Sequence, residues 1–280
     1  MRPANKHLIN SASVLLAAAL TVLTPLQAST ALDNPSPVCQ KPVYLTFDTG
    51  HMGVAPLIAK VLREHQVPVT FFGAHEKTQE GDGSLGTYWA SWWKDRGAEN
   101  HDFASHTFDH AYWRADLEHK RFKIRPSAGE QAGKDLNWSV ADYCENLQKA
   151  SQRLEALTGR PSLPLFRAPG GKTSPALIQA AASCGYTHGG WSSAGFLGDE
   201  LSSQTHSNDK LLKNALKNIR NGDILMAHLG IWSRQDPWAP AVLEPIIVGL
   251  KEKGFCFASL RQHPQYSKLV SNVSKTPKRP

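Results

Sequence analysis

Six residues sit where short apolar runs break off, and their types suit hydrolytic and metal chemistry: Asp48, His106, His110, Arg167, Trp191 and His228. Residues 43–50 read VYLTFDTG, an apolar run that ends on Asp48, with Gly50 free to turn the backbone. A carboxylate at a strand tip beside such a turn stands where parallel α/β folds present a reacting group. The same carboxylate could instead cap a following helix. His106 and His110, in SHTFDH (105–110), are spaced so that a helical turn or tight loop points both imidazoles at one ion. With 12 histidines in the chain, such a pair also arises by chance on a surface. Arg167, Trp191 and His228 end or follow further apolar runs. Singly, each has an ordinary explanation: a surface ion pair, core packing, and a buried imidazole bonded to backbone.

The elements that would position these residues alternate in kind. Val43, Leu45 and Phe47 alternate with Tyr44 and Thr46, the pattern of a buried strand. Residues 54–65 place Val54, Leu57, Ile58, Val61 and Leu62 at helical spacing, and 67–72 is a second apolar run, which makes a βαβ unit. Strands predicted at 102–105, 163–166, 186–191, 223–228 and 255–260 interleave with helices at 140–157, 175–183, 208–220 and 241–253. Ser174 opens the 175–183 helix, and Gly159 with Pro161 closes the one before it. No internal repeat or boundary interrupts the series, so a single α/β domain is expected, most simply a barrel whose strand ends share one rim. Two stretches stand outside the alternation. Residues 76–99 join GDGSLG to Tyr88, Trp89, Trp92 and Trp93, a lid or sugar-stacking surface on one reading and packing against the barrel on another. Residues 111–139 are basic and aromatic without clean periodicity and read as an insertion.

At 280 residues with 41% hydrophobic content, the chain can fill one large core. Arg2 and Lys6 precede the apolar run 14–23, and Ala28 offers a cleavage site, so residues 1–28 read as a secretory signal peptide. No later run approaches a membrane span, and a secreted or periplasmic protein is expected. The net charge of +7 owes much to Lys268, Lys275, Lys278 and Arg279 in a basic tail at 266–280. That tail reads as solvated, with docking to an anionic envelope polymer as the alternative; nucleic acid is not an expected partner of an exported chain. Export also favours disulfides among Cys39, Cys144, Cys184 and Cys256. Cys39 precedes the first strand and Cys256 lies in the last, which neighbours the first in a closed barrel, so Cys39–Cys256 and Cys144–Cys184 are the favoured pairs.

Together the motifs resemble those of the NodB-homology polysaccharide deacetylases, the family 4 carbohydrate esterases, over about 41–260 within a domain at 29–265. TFDTG (46–50) is similar to the family's TFDDG and SHTFDH to its histidine-pair motif. FRAPGG (166–171) is similar to the Arg-x-Pro motif, Trp191 to the tryptophan motif, and ILMAH (224–228) to the closing Leu-x-x-His motif. The resemblance implies a distorted (β/α) barrel of about seven parallel strands with one divalent metal, zinc by ligand type, on His106 and His110. It further implies Asp48 as general base, Arg167 as the group holding Asp48 ionised, and His228 as general acid. The Gly170 N–H after Pro169 would face the oxyanion, with Trp191 and Leu225 as walls for the acetyl methyl group. The implied activity is removal of N-acetyl groups from an amino sugar polymer by a monomer that binds acetylated polysaccharide.

The chain also departs from that pattern. Thr49 stands where the family has a second, metal-binding Asp, and His51 or His75 are alternative third ligands. Gly190 replaces the acid that tunes the catalytic histidine, leaving Asp199 and Asp223 as candidates. Gly170 replaces the aromatic that often follows Arg-x-Pro. A carbohydrate-binding relative that has lost its activity, or an O-acetyl esterase on the same site, are the competing readings.

Overall fold

The computed structural model describes residues 39–234 and 236–273. The expected signal peptide at 1–28 and the tail residues Lys275, Lys278 and Arg279 lie outside them. In chain order the elements are β1 (Pro42–Asp48), α1 (Ala55–Glu64), β2 (Thr70–Gly73), α2 (Ala90–Ala98), β3 (Asp102–Ser105), β4 (Ala111–Leu117), β5 (Arg121–Pro126) and β6 (Leu136–Trp138). They continue as α3 (Val140–Thr158), β7 (Leu165–Phe166), α4 (Pro175–Ser183), β8 (Thr187–His188), α5 (Asn208–Asn218), β9 (Ile224–His228), α6 (Leu243–Glu252), β10 (Cys256–Phe257) and α7 (Ser267–Val273).

Seven strands form one parallel sheet, in the order β10-β1-β2-β3-β7-β8 with β9 on the other side of β1. Between β8 and β9 the ring is completed by irregular chain: Ser192 N–H donates to Ile224, Leu197 N–H to Met226, and Met226 N–H to Gly195. This is the α/β barrel expected, distorted at that closure.

Side-chain parity divides the barrel into an outside and an inside. On β1, Val43, Leu45 and Phe47 pack outward with Phe71, Phe103, Leu225 and Ala227 and with the apolar faces of α1, α5 and α6. Tyr44 points the other way and packs with Phe72, Ala104, Leu165 and Ile224. That inner cluster also takes in Leu260, Tyr266 and Val270, so the first part of the stretch read as a solvated tail is an apolar plug leading into α7. Counting by twos from Tyr44 along β1 reaches Thr46 and then Asp48, which brings the carboxylate to the mouth on the inner side.

Local signals set the helix ends. Ser139 and Asp142 form a reciprocal capping box on α3, and Gly159, at φ 69°, ends it in the left-handed conformation. Ser174 accepts from Leu177 N–H to start α4. The disulfides Cys39–Cys256 and Cys144–Cys184 are both formed, the first joining the chain before β1 to β10 and the second joining α3 to the end of α4.

The two irregular stretches have structure of their own. Trp89, Trp92 and Trp93 of 76–99 are buried in the outer core around α2, so packing is their role, and Tyr88 alone of the four is exposed. The 111–139 insertion is a three-stranded antiparallel sheet, β4-β5-β6. Its Phe122 and Ile124 face α3 and α4 while Lys123 and Arg125 face out. Among the described residues no helix is long and apolar enough to cross a membrane.

Candidate active site

The C-terminal ends of β1, β2, β3, β7 and β9 open on one rim. β1 and β9 run in register with Asp48 beside His228, and the same parity turns both side chains inward. Arg167, just past β7, is fully buried under them. Its Nη1 donates to Asp48 Oδ1 at 2.6 Å and to Thr46 Oγ1 at 2.9 Å, and its Nε and Nη2 donate to the Gly189 and Gly190 carbonyls. Phe72 lies 4.1 Å from the guanidinium and Trp191 5.6 Å. A guanidinium held on four acceptors cannot turn away, so Asp48 has a fixed cationic partner. Burial alone would raise the Asp48 pKa. Arg167, His106 and His228 outweigh it and hold the carboxyl below its ordinary value.

His228 has the opposite setting. Its Nδ1–H donates to Asp199 at 3.1 Å, and its backbone N–H donates to the same carboxylate at 2.7 Å. Burial disfavours the imidazolium, but Asp199, with smaller help from Asp48 and Glu200, overrides that and raises the pKa to about 9. With Nδ1 committed to Asp199, Nε2 is the nitrogen available at the mouth. Asp199 is thus the acidic partner of His228, which Gly190 does not supply. Asp223 does not, because it accepts from Arg220 N–H in the turn at the far end of β9.

The histidine pair stands on the loop after β3. His106 Nδ1–H donates to the Arg167 carbonyl at 2.9 Å. A carbonyl can only accept, so the tautomer is fixed and the lone pair stays on Nε2, whose nearest carboxylate oxygen is Asp48 Oδ2 at 3.6 Å. Burial first, then His110, lowers the His106 pKa to about 4 against the pull of Asp48, which keeps the ring neutral as a ligand must be. His110 lies 4.9 Å away between ring centroids, with Nδ1 hydrogen-bonded to Ser127 Oγ. Thr107 and His110 adopt φ of 59° and 47°, an uncommon conformation for such residues that folds the loop back on itself. Among the described residues no three His, Cys, Asp or Glu side chains are drawn together into a finished cage. Two neighbouring imidazoles, one with its lone pair oriented, nevertheless fit a divalent ion such as zinc by donor chemistry.

The three proposed third ligands fare differently. His51 Nδ1 accepts from Gly53 N–H and His75 Nδ1 accepts from Leu85 N–H, so neither lone pair is free for an ion. His51 packs under Trp232, and His75 stacks on Phe108. Thr49 is at the mouth, where its hydroxyl donates to Glu76 Oε2 at 2.7 Å. Leu225 also requires correction: it is buried among the outward-facing residues of β1, one position out of phase with His228. Met226 has His228's parity and is the β9 residue on the mouth side.

Pro169–Gly171 forms a 3-10 turn, with Gly170 at φ 64°. A Cβ on Gly170 would come within 2.9 Å of the Tyr112 ring, and one on Gly171 within 2.6 Å of Trp191. Trp191 therefore lies over this turn at the mouth. Tyr112 was missed in the sequence. It extends from β4, sets its ring edge-on to His110 at 4.9 Å, and stands beside Gly170. Glu76 was missed too, although an acid three residues past the end of β2 is near the rim of any parallel barrel.

The sequence pattern of the polysaccharide deacetylase family matches residues 36–189, more than half of the chain. The chain is 25% identical over 231 residues to a chitooligosaccharide deacetylase of Azorhizobium caulinodans, covering 79% of this chain and 93% of that protein. It is 24% identical over 228 residues to a peptidoglycan-N-acetylglucosamine deacetylase of Bacillus cereus, covering 81% and 90%. In fold it is similar to a family 4 acetyl xylan esterase from Clostridium thermocellum, with a TM-score of 0.59 at 17% identity over 85% of this chain and 93% of that one. The chain belongs to the polysaccharide deacetylase family.

Proposed function

We propose that the protein is an exported, metal-dependent hydrolase that removes N-acetyl groups from an amino sugar polymer. The observation that carries this reading is the pair of opposed charge settings on the register-matched ends of β1 and β9. Asp48 is held ionised by Arg167, and His228 is held protonated by Asp199. A base and an acid whose environments push their pKa values apart are what amide hydrolysis needs.

His106 and His110 would hold the divalent ion, zinc by ligand type, which supplies acetyl-carbonyl polarisation and a more acidic water. Asp48 Oδ2, the oxygen not taken by Arg167, receives a proton from the attacking water. His228 Nε2 gives its proton to the sugar nitrogen as the carbon–nitrogen bond breaks, so that acetic acid, which ionises in solution, and a neutral amine depart. Asp48 and His228 then return to their resting states by giving a proton to water and taking one from it, respectively. The Pro169–Gly170 turn would offer its N–H to the oxyanion, with Trp191 and Met226 bordering the acetyl methyl group.

The elevated His228 pKa favours an amide over an O-acetyl ester, because an amine leaving group needs full protonation and an alkoxide needs less. The intact acid and base argue against a binding protein without activity. Acetate release from N-acetylglucosamine oligomers and from acetylated xylan, measured beside the zinc content of the secreted protein, tests the proposal. Turnover on the oligomers and little on the xylan is expected. Metal-free protein with no release from either would leave the binding-protein reading standing.

A further inference from the structure

The Thr49 hydroxyl has one lone-pair partner and one proton acceptor, and together they hold a carboxylate beside His110. Ala74 N–H donates to Thr49 Oγ1 at 3.0 Å, and the hydroxyl proton goes to Glu76 Oε2 at 2.7 Å. Glu76 Oε1 accepts no hydrogen bond from a described side chain and lies 3.6 Å from His110 Nδ1. The backbone around it is fastened on two sides. Glu76 N–H donates to Ser84 Oγ, Ser84 N–H returns to the Glu76 carbonyl, and His75 N–H donates to the Phe108 carbonyl in the histidine loop at 2.7 Å. The Glu76 loop and the His106–His110 loop are therefore tied directly together.

We propose that Glu76 is the third, anionic ligand of the ion held by His106 and His110, and that Thr49 is the residue that orients it. The proposal rests on the metal-dependent reading above. Two neutral imidazoles leave a dication uncompensated, and a carboxylate adds Coulomb attraction together with a strong oxygen donor. A ligating carboxylate is itself commonly held by an outer hydrogen bond, which is what the Thr49 hydroxyl supplies to Oε2 while leaving Oε1 free. The position that carries an acid in relatives has thus become a support, and the acid arrives from the neighbouring strand end.

Calorimetric titration of zinc into the metal-free mature protein, with cobalt absorption spectra as a second readout of coordination, tests this. Glu76→Gln should weaken binding by about 100-fold or more and alter the cobalt spectrum. Thr49→Val, which keeps the charge and removes its support, should weaken binding by about 10-fold. Thr49→Asp added to Glu76→Gln should recover much of the loss, since an acid then returns to the same space. If Glu76→Gln fails to fold in a circular dichroism control, Thr49→Val decides. Affinity and spectrum unchanged in Glu76→Gln, or in Thr49→Val as its substitute, would overturn the ligand assignment while the wild type still binds zinc. A wild type that takes up no zinc would overturn the metal-dependent reading along with it.

Discussion

Asp48 and His228 stand on paired strand ends, whereas His106, His110, Glu76 and Tyr112 stand on loops and on an inserted sheet, and the two walls of the mouth are held by different means. On the first wall the sheet register sets the side-chain face, and buried charge partners fix each protonation state. On the second wall the placement comes from loop-to-loop hydrogen bonds, His75 to Phe108 and Thr49 to Glu76, and from two left-handed residues. A register-defined wall resists drift but fails badly when a charge is removed. A loop-defined wall can exchange one donor for another, as Thr49 and Glu76 illustrate.

The largest effects should come from the strand wall. Asp48→Asn and His228→Ala should each reduce turnover by about 100-fold or more in steady-state assays. They should differ in stability. Asp48→Asn leaves the fully buried Arg167 without its counter-charge, a loss on the order of 3 kcal/mol in chemical denaturation. His228→Ala should cost less, because Asp199 keeps the His228 backbone N–H as a donor. Equal stabilities would mean that Arg167 is satisfied by Thr46 and the Gly189 and Gly190 carbonyls alone.

A second, intermediate effect separates acid from base by pH. His228 has an ordinary pKa of 6.5 and a folded value of about 9, so it favours folding fully below 6.5 and loses that contribution as pH rises through about 9. Asp199→Asn removes the main force raising it. The metal-free variant should lose its extra stability at lower pH than the wild type, and the falling limb of the kcat/KM profile should move in the same direction. Thermal melts and rate profiles between pH 6 and 10 check both, and a limb unmoved by the substitution would assign it to another group.

The strand wall was also the legible one. Alternation in 43–48 marked a buried strand, and a carboxylate closing it had to point to the mouth or away from it, so Asp48 could be found without contacts. The same parity should have excluded Leu225, three residues before His228 and therefore on the opposite face of β9. The loop wall was harder to read because its neighbours are fixed by tertiary hydrogen bonds that leave no period in the sequence. Glu76 shares no motif with His110, and Asp199 reaches His228 from 29 residues away. The insertion was less opaque than it looked: Phe122 and Ile124 alternate with Arg121, Lys123 and Arg125, a period-two signal hidden by the basic composition.

The smallest expected effect tests whether that inserted sheet takes part in binding. Tyr112 is half-buried, touches the space beside Gly170, and sets its edge against His110. Burial, then Glu76 and Glu200, raise the pKa of its hydroxyl, so it remains a neutral donor and acceptor across the working pH range. Tyr112→Phe removes that hydroxyl and keeps the ring that packs against the turn. If the hydroxyl bonds to the sugar, KM for N-acetylglucosamine oligomers should rise by a few-fold, on the order of one lost neutral hydrogen bond, with kcat little changed. Tyr112→Ala should raise KM further and also lower kcat, because the turn at Gly170 then loses the ring that borders it. Metal affinity should stay near the wild-type value in both variants, which separates this wall's substrate role from its ligand role. If Tyr112→Phe matched the wild type in both constants while Tyr112→Ala lost activity, the ring would be a packing element for the His110 and Gly170 loops and the hydroxyl would have no part in binding.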